Sequence, residues 1–137
     1  MLILSTGFAQ SDKKEQERLM PTVYYMVWLE VGEKWKNSEV SILRDPVLTE
    51  YVKGHRQYMA EMNGKGFLVL GGPFLDNLEK FSQNLAIDGG MLLYKTATLQ
   101  ETEELVRNDP IIQSGALLVK DIKPFLIFVG GDKPITR

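Results

Sequence analysis

Residues 22–31 read Thr-Val-Tyr-Tyr-Met-Val-Trp-Leu-Glu-Val, with Glu30 the single charged side chain. A run so rich in β-branched and aromatic residues predicts a strand. Alternation puts Val23, Tyr25, Val27 and Leu29 on one face and Tyr24, Met26 and Trp28 on the other. Both faces are largely apolar, and a strand of that kind needs cover on both sides. The chain must therefore build a sheet that is covered twice.

The rest of the chain supplies one of those covers. Asp45-Pro46 opens a helix, with Asp as N-cap and Pro at the first helical position. Leu48, Tyr51, Val52, His55, Tyr58, Met59 and Met62 then recur on one helical face, and Glu50, Lys53, Gln57 and Glu61 occupy the other. Asn63-Gly64 and Gly66 end this helix. Residues 67–70 predict a short second strand, broken by Gly71-Gly72-Pro73. A longer connection leads to a third strand over residues 91–96. Thr98-Leu99-Gln100-Glu101 is a capping box and starts a second helix, with Leu105 and Val106 inward. Asp109-Pro110 ends it, because a residue before proline is disfavoured in helix. Residues 111–115 predict a turn. The fourth strand spans residues 117–123, is interrupted by Pro124, and resumes as an apolar run over residues 125–129.

The order is strand, helix, strand, strand, helix, strand. This predicts an α+β, ferredoxin-like βαββαβ domain, an antiparallel sheet with both helices on one face. The other sheet face then lacks cover. A second copy of the chain is the simplest cover, which makes a homodimer with two sheets face to face the expected assembly.

Composition narrows the chemistry. The 137 residues suit one domain, with 44% hydrophobic and 25% charged side chains. The formal net charge of -2 offers no basic surface for a nucleic acid. Cysteine is absent and His55 is the one histidine, which excludes disulfides, thiolate nucleophiles, Fe–S clusters and zinc fingers. No EF-hand spacing occurs, and no metal is expected. No apolar stretch is long enough to span a bilayer, so no membrane partner is expected either.

Residues 1–10 are apolar with small residues at Gly7 and Ala9, and residues 11–18 turn abruptly polar. This is the pattern of the back half of a secretory signal, without its basic front. Two readings follow: an exported, periplasmic or secreted protein, or a cytoplasmic one with a frayed N-terminus. Residues 1–20 are expected outside the fold, residues 21–130 form the domain, and residues 131–137 form a polar tail.

Several short pieces also occur in a fixed order. They are Gly54-His55-Arg56-Gln57-Tyr58-Met59, then Gly64-Lys65-Gly66-Phe67-Leu68-Val69-Leu70-Gly71-Gly72-Pro73, then Gly90, Asn108-Asp109-Pro110, Gly115 and Ile122-Lys123-Pro124-Phe125. In this order the chain resembles the YciI-like proteins of the dimeric α+β barrel superfamily. The resemblance spans residues 23–125. It implies a ferredoxin-like fold in a homodimeric barrel, and an active-site pair at His55 and Asp109. The superfamily includes lactone isomerases, cofactor-free monooxygenases, dehydrochlorinases and haem-binding members, so fold analogy selects no reaction. The connection over residues 74–89 is longer than the hairpin usual in the group, and the segment after Phe125 is an extension.

His55 lies on the apolar face of its helix, between Val52 and Met59. As a general base or acid it would be oriented by Asp109. The structural alternative is a core histidine with one satisfied hydrogen bond, and an Asp109 that only caps the turn after it. Haem ligation by His55 is a third, weaker reading. Gly71-Gly72-Pro73 lacks the helix N-terminus of a phosphate loop. It reads instead as a crowded strand end, with Pro73 and Phe74 as candidate substrate-binding walls. Arg44, Arg56 and Lys95 are candidates for an anionic substrate, although single cations also read as solvated surface charges. Glu101, Glu103 and Glu104 form a solvated helix face.

The expected function is a small-molecule enzyme acting without a cofactor. His55 and Asp109 would carry acid–base chemistry (isomerisation, elimination or hydrolysis) on a small cyclic or aromatic carbonyl compound. The alternative is a non-catalytic homodimeric module that binds a small ligand.

Overall fold

The computed structural model describes residues 22–36, 45–84 and 86–130. The expectations for residues 1–20, for Arg44 and for the tail after residue 130 lie outside these. The four strands are β1 (Val23–Val31), β2 (Leu68–Pro73), β3 (Gly90–Tyr94) and β4 (Leu117–Leu126). Five helical segments are described: α1 (Glu33–Lys36), α2 (Pro46–Gly64), α3 (Leu78–Asn84), α4 (Leu99–Arg107) and α5 (Pro110–Ser114).

The strand order is β2-β3-β1-β4, and every neighbouring pair is antiparallel. With α2 between β1 and β2, and α4 and α5 between β3 and β4, this is the ferredoxin-like arrangement expected from the order of elements. Register fixes the faces. Val27 pairs with Leu92 and Tyr25 with Tyr94. Val27, Leu29, Leu92 and Tyr94 are buried in one core with Leu48 and Met62 of α2, Val106 of α4 and Ile111 of α5. Full burial of each such side chain is worth about 1.5–3 kcal/mol. The helices therefore cover one sheet face. The opposite face carries Trp28 paired with Met91 and with Asp121, and Tyr24 paired with Phe125.

The caps read from sequence form as hydrogen bonds. The Asp45 carboxylate accepts from the N–H groups of Val47 and Leu48 at 3.1 and 3.0 Å. The Thr98 hydroxyl accepts from Glu101 N–H at 3.1 Å. The Glu101 carboxylate reaches one residue further back than the usual box, to Ala97 N–H at 3.2 Å.

Three local expectations are corrected, and the connection over residues 74–89, whose conformation the sequence leaves open, takes a definite form. Gly71-Gly72-Pro73 does not break β2, which runs to Pro73 after an irregularity between Leu68 and Leu70. Pro124 does not interrupt β4, where it pairs with Tyr25. Both strands are sheet edges, and an edge tolerates a residue without an N–H. The connection over residues 74–89 contains α3, where Asn77 Oδ1 accepts from Lys80 N–H at 3.1 Å. Residues 111–115 are mostly helix, since Asp109-Pro110 opens α5 as well as ending α4. No helix among the described residues is long and apolar enough to cross a membrane.

Candidate functional site

The site begins with a glycine. Gly54 on α2 faces Pro110, and a Cβ built on it would lie 3.3 Å from Pro110 Cβ. The missing side chain lets α2 approach the start of α5 closely. That approach brings together residues 54 positions apart: His55 Nδ1 lies 2.7 Å from Asp109 Oδ2. Asp109 is fully buried, and the His55 side chain is 12% exposed.

The second oxygen of Asp109, Oδ1, accepts from Ile111 N–H at 3.1 Å as the N-cap of α5. A carboxylate accepts at both oxygens, so an ionised Asp109 takes the acceptor role at Oδ2 as well. His55 then donates from Nδ1–H. A neutral imidazole so held presents the Nε2 lone pair. The two readings of Asp109 left open by the sequence, cap and histidine partner, are both occupied, one by each oxygen.

Two tyrosines crowd the same carboxylate. The Tyr58 hydroxyl donates to Leu105 O at 2.6 Å. Burial pushes its pKa up, and the charges of Asp109 and Glu61 push it further. Burial also raises Tyr94 well above the ordinary tyrosine range, with Tyr58 and Asp109 adding to it. Tyr94 is 0% exposed, and its hydroxyl has no hydrogen-bond partner among the described residues. Tyr58 stands one helical turn after His55, so its place beside the pair was legible from the spacing. Nothing in the sequence marked Tyr94.

His55 forms part of the wall of a cavity of about 400 Å³ between the helices and the sheet. Leu29, Trp35, Val52, Met59, Phe81 and Leu92 make most of its apolar lining. Gly71, Gly72, Gly89 and Gly90 bring bare backbone to it, and Pro73 completes that side. Gly89 has φ +93° and sits against the Leu29 carbonyl, where a side chain has no room. Arg56 also lines the cavity, whereas Asp109 stands behind His55 and does not. Among the described residues, no group of three or more His, Asp or Glu side chains is placed to hold a metal ion.

The structure separates Phe74 from this cavity. Its ring packs on Trp28 at 5.3 Å between centroids. Together they line a different cleft with Asp88 and Lys120, toward the sheet face that the helices leave open. Of the residues singled out from sequence, His55, Asp109 and Pro73 come together and Phe74 does not join them.

A family model, the YCII-related domain, matches residues 26–126. Among solved structures, the chain is similar to 5-chloro-2-hydroxyhydroquinone dehydrochlorinase (TftG) from Burkholderia phenoliruptrix AC1100, in complex with 2,5-dihydroxybenzoquinone. That similarity has 17% identity and a TM-score of 0.48, covering 78% of this chain and 95% of the other. No curated protein matches the chain.

Proposed function

The chain belongs to the YCII-related domain family, and on that premise we propose that it is a homodimeric, cofactor-independent acid–base enzyme. Its substrate is a small cyclic or aromatic carbonyl compound held in the cavity beside His55. The carrying observation is the 2.7 Å contact between His55 Nδ1 and Asp109 Oδ2 at the wall of an apolar cavity. A base needs a free lone pair, a fixed ring and a dry place to act, and the arrangement supports all three.

His55 Nε2 takes a proton from a carbon next to the carbonyl, and the electron pair moves into the enolate. The same nitrogen returns the proton at another carbon for isomerisation, or a leaving group departs for elimination. Asp109 keeps the ring in one tautomer and balances the imidazolium as it forms. Pro73 and the glycine backbone limit the room beside the substrate. Positioned proton transfer of this kind is worth ~10²–10⁴ in rate.

The test is exchange of α-protons in D2O, followed by NMR over a panel of cyclic ketones and lactones. The wild-type chain is expected to speed exchange of at least one compound, and His55→Gln to lose that acceleration. Equal exchange by the variant refutes the role of His55. Ligand binding without exchange by any compound supports the binding-module reading instead.

A further inference from the structure

Apart from His55, Arg56 is the one ionisable side chain in the cavity wall among the described residues. It occupies the next position on α2, and it is exposed where His55 is half-buried. Its helical neighbours three and four residues away are Val52, Lys53, Met59 and Ala60. None is a carboxylate, so the helix offers it no i,i+4 partner. No ion pair to Arg56 forms among the described residues, whereas Lys65 and Lys123 each have one. Among the described residues, the cavity contains no acidic side chain. An exposed arginine thus borders an apolar hollow without a counter-charge among the described residues.

We propose that this cavity takes a small planar ring bearing one anionic group, a carboxylate being the best fit, and that Arg56 is the residue that selects it. The inference rests on the reading that the cavity beside His55 is the reacting site. Its physical basis is complementarity. Leu92, Met59 and Phe81 suit the apolar body of a ring. The planar fork of Arg56 matches two carboxylate oxygens at once, and a charge-assisted pair at an apolar rim is stronger than one in open water. Arg56 at the solvent end and His55 deeper in the wall fix the direction of entry. The anionic group stays at the mouth, and the ring carbons reach Nε2. A neutral ring of the same shape gains the apolar contacts but loses that orientation.

Benzoate and its neutral isostere benzamide serve as probes, each titrated by protein-observed NMR into wild type, Arg56→Gln, Arg56→Lys and His55→Gln. Wild type is expected to bind benzoate about tenfold or more tightly than benzamide, the scale of one charge-assisted contact. Shifts should centre on the amides of Val52, His55, Met59 and Gly72. Arg56→Gln is expected to bring the two affinities together, Arg56→Lys to keep part of the preference, and His55→Gln to keep it whole. Arg56 is exposed on its helix, so these variants should fold as wild type. The proposal is overturned by equal affinities in wild type, by a preference that survives Arg56→Gln, or by no binding of either probe at millimolar concentration. A failed charge preference alongside exchange that still depends on His55 removes the anion and leaves the acid–base reading. A preference for benzoate with no exchange of any carbonyl compound does the reverse.

Discussion

One oxygen of Asp109 accepts from Ile111 N–H and the other faces His55 Nδ1. Substitutions there should split the two duties. Asparagine caps a helix about as well as aspartate. In Asp109→Asn the carbonyl oxygen keeps the cap, and the amide NH2 is turned toward His55. The imidazole must then accept at Nδ1 and carry its proton on Nε2, the nitrogen meant to act as base. Asp109→Asn is therefore expected to fold nearly as wild type and to lose His55-dependent exchange. Nitrogen chemical shifts of the single histidine should report the change of tautomer. Asp109→Ala loses the cap, about 0.5–2 kcal/mol, and leaves a buried donor unmet, about 1–3 kcal/mol more. Equal urea midpoints for the two variants would mean that the cap contributes nothing. Tyr94 makes a second case. Its buried hydroxyl lacks a partner among the described residues, so Tyr94→Phe should leave stability at neutral pH unchanged or raise it by up to ~1 kcal/mol. The pKa values of Tyr94 and Tyr58 are both raised from the ordinary 10.0 in the folded chain. Above that pH the unfolded chain gives up protons that the folded chain retains, so stability falls as pH rises. The stabilisation is complete below pH 10.0 and is lost progressively from there as pH rises through the raised folded values. Urea unfolding below and above that pH should show a smaller alkaline loss in Tyr94→Phe. An unchanged loss would assign it to other groups.

The elements meet at Gly54 and Pro110. Alanine at position 54 would gain about 0.5–1 kcal/mol of helix propensity, but its Cβ would lie 3.3 Å from Pro110 Cβ. Gly54→Ala should thus change stability little. Gly54→Leu cannot be housed without moving α5, and such overpacking costs about 1–3 kcal/mol. The larger variant is expected to lower the urea midpoint and to erase the histidine shifts that mark the Asp109 contact. Retention of those shifts would show that α5 has more freedom than its packing implies. The same pair of elements shows what could be read from the sequence. Asp45-Pro46 announced α2, and its apolar spacing gave the inward face that holds Leu48, Val52, Met59 and Met62. An identical Asp109-Pro110 signal opens α5, yet it also stops α4, and the stop is the easier half to read. Gly71-Gly72-Pro73 and Pro124 looked like strand breakers, because a sequence does not say which strands will be edges. The contact of His55 with Asp109 across 54 positions depends on how α2 lies on α5. The family resemblance supplied that pair, and local patterning did not. Phe74 and Pro73 part company for a related reason. Phe74 directly follows Pro73, which faces the cavity, and β2 ends between them.

At the scale of the whole molecule, the two sheet faces have different lives. The cavity and the His55–Asp109 contact lie on the helical side. The other side leaves Trp28 41%, Leu70 49%, Leu118 43% and Phe125 43% exposed. Four large apolar side chains open on one small domain form the kind of patch that marks an interaction surface. A stable interface removes about 800 Å² per partner from water, and a four-stranded sheet face is of that order. The homodimer proposed above buries this face against its own copy, with Trp28 near the middle of its strand, where Lys120 Nζ already lies 5.9 Å from the ring. Sedimentation velocity at micromolar concentration is expected to give a dimer. Trp28→Glu would place a charge from each protomer in the buried centre of the interface, where an unpaired charge is costly. That variant is expected to sediment as a monomer. The His55–Asp109 contact belongs to one chain and to the opposite face, so the monomer should keep the wild-type histidine shifts. A monomeric wild type would overturn the dimer. Loss of the histidine signature in Trp28→Glu would instead mean that covering one sheet face is what holds the helices in place on the other.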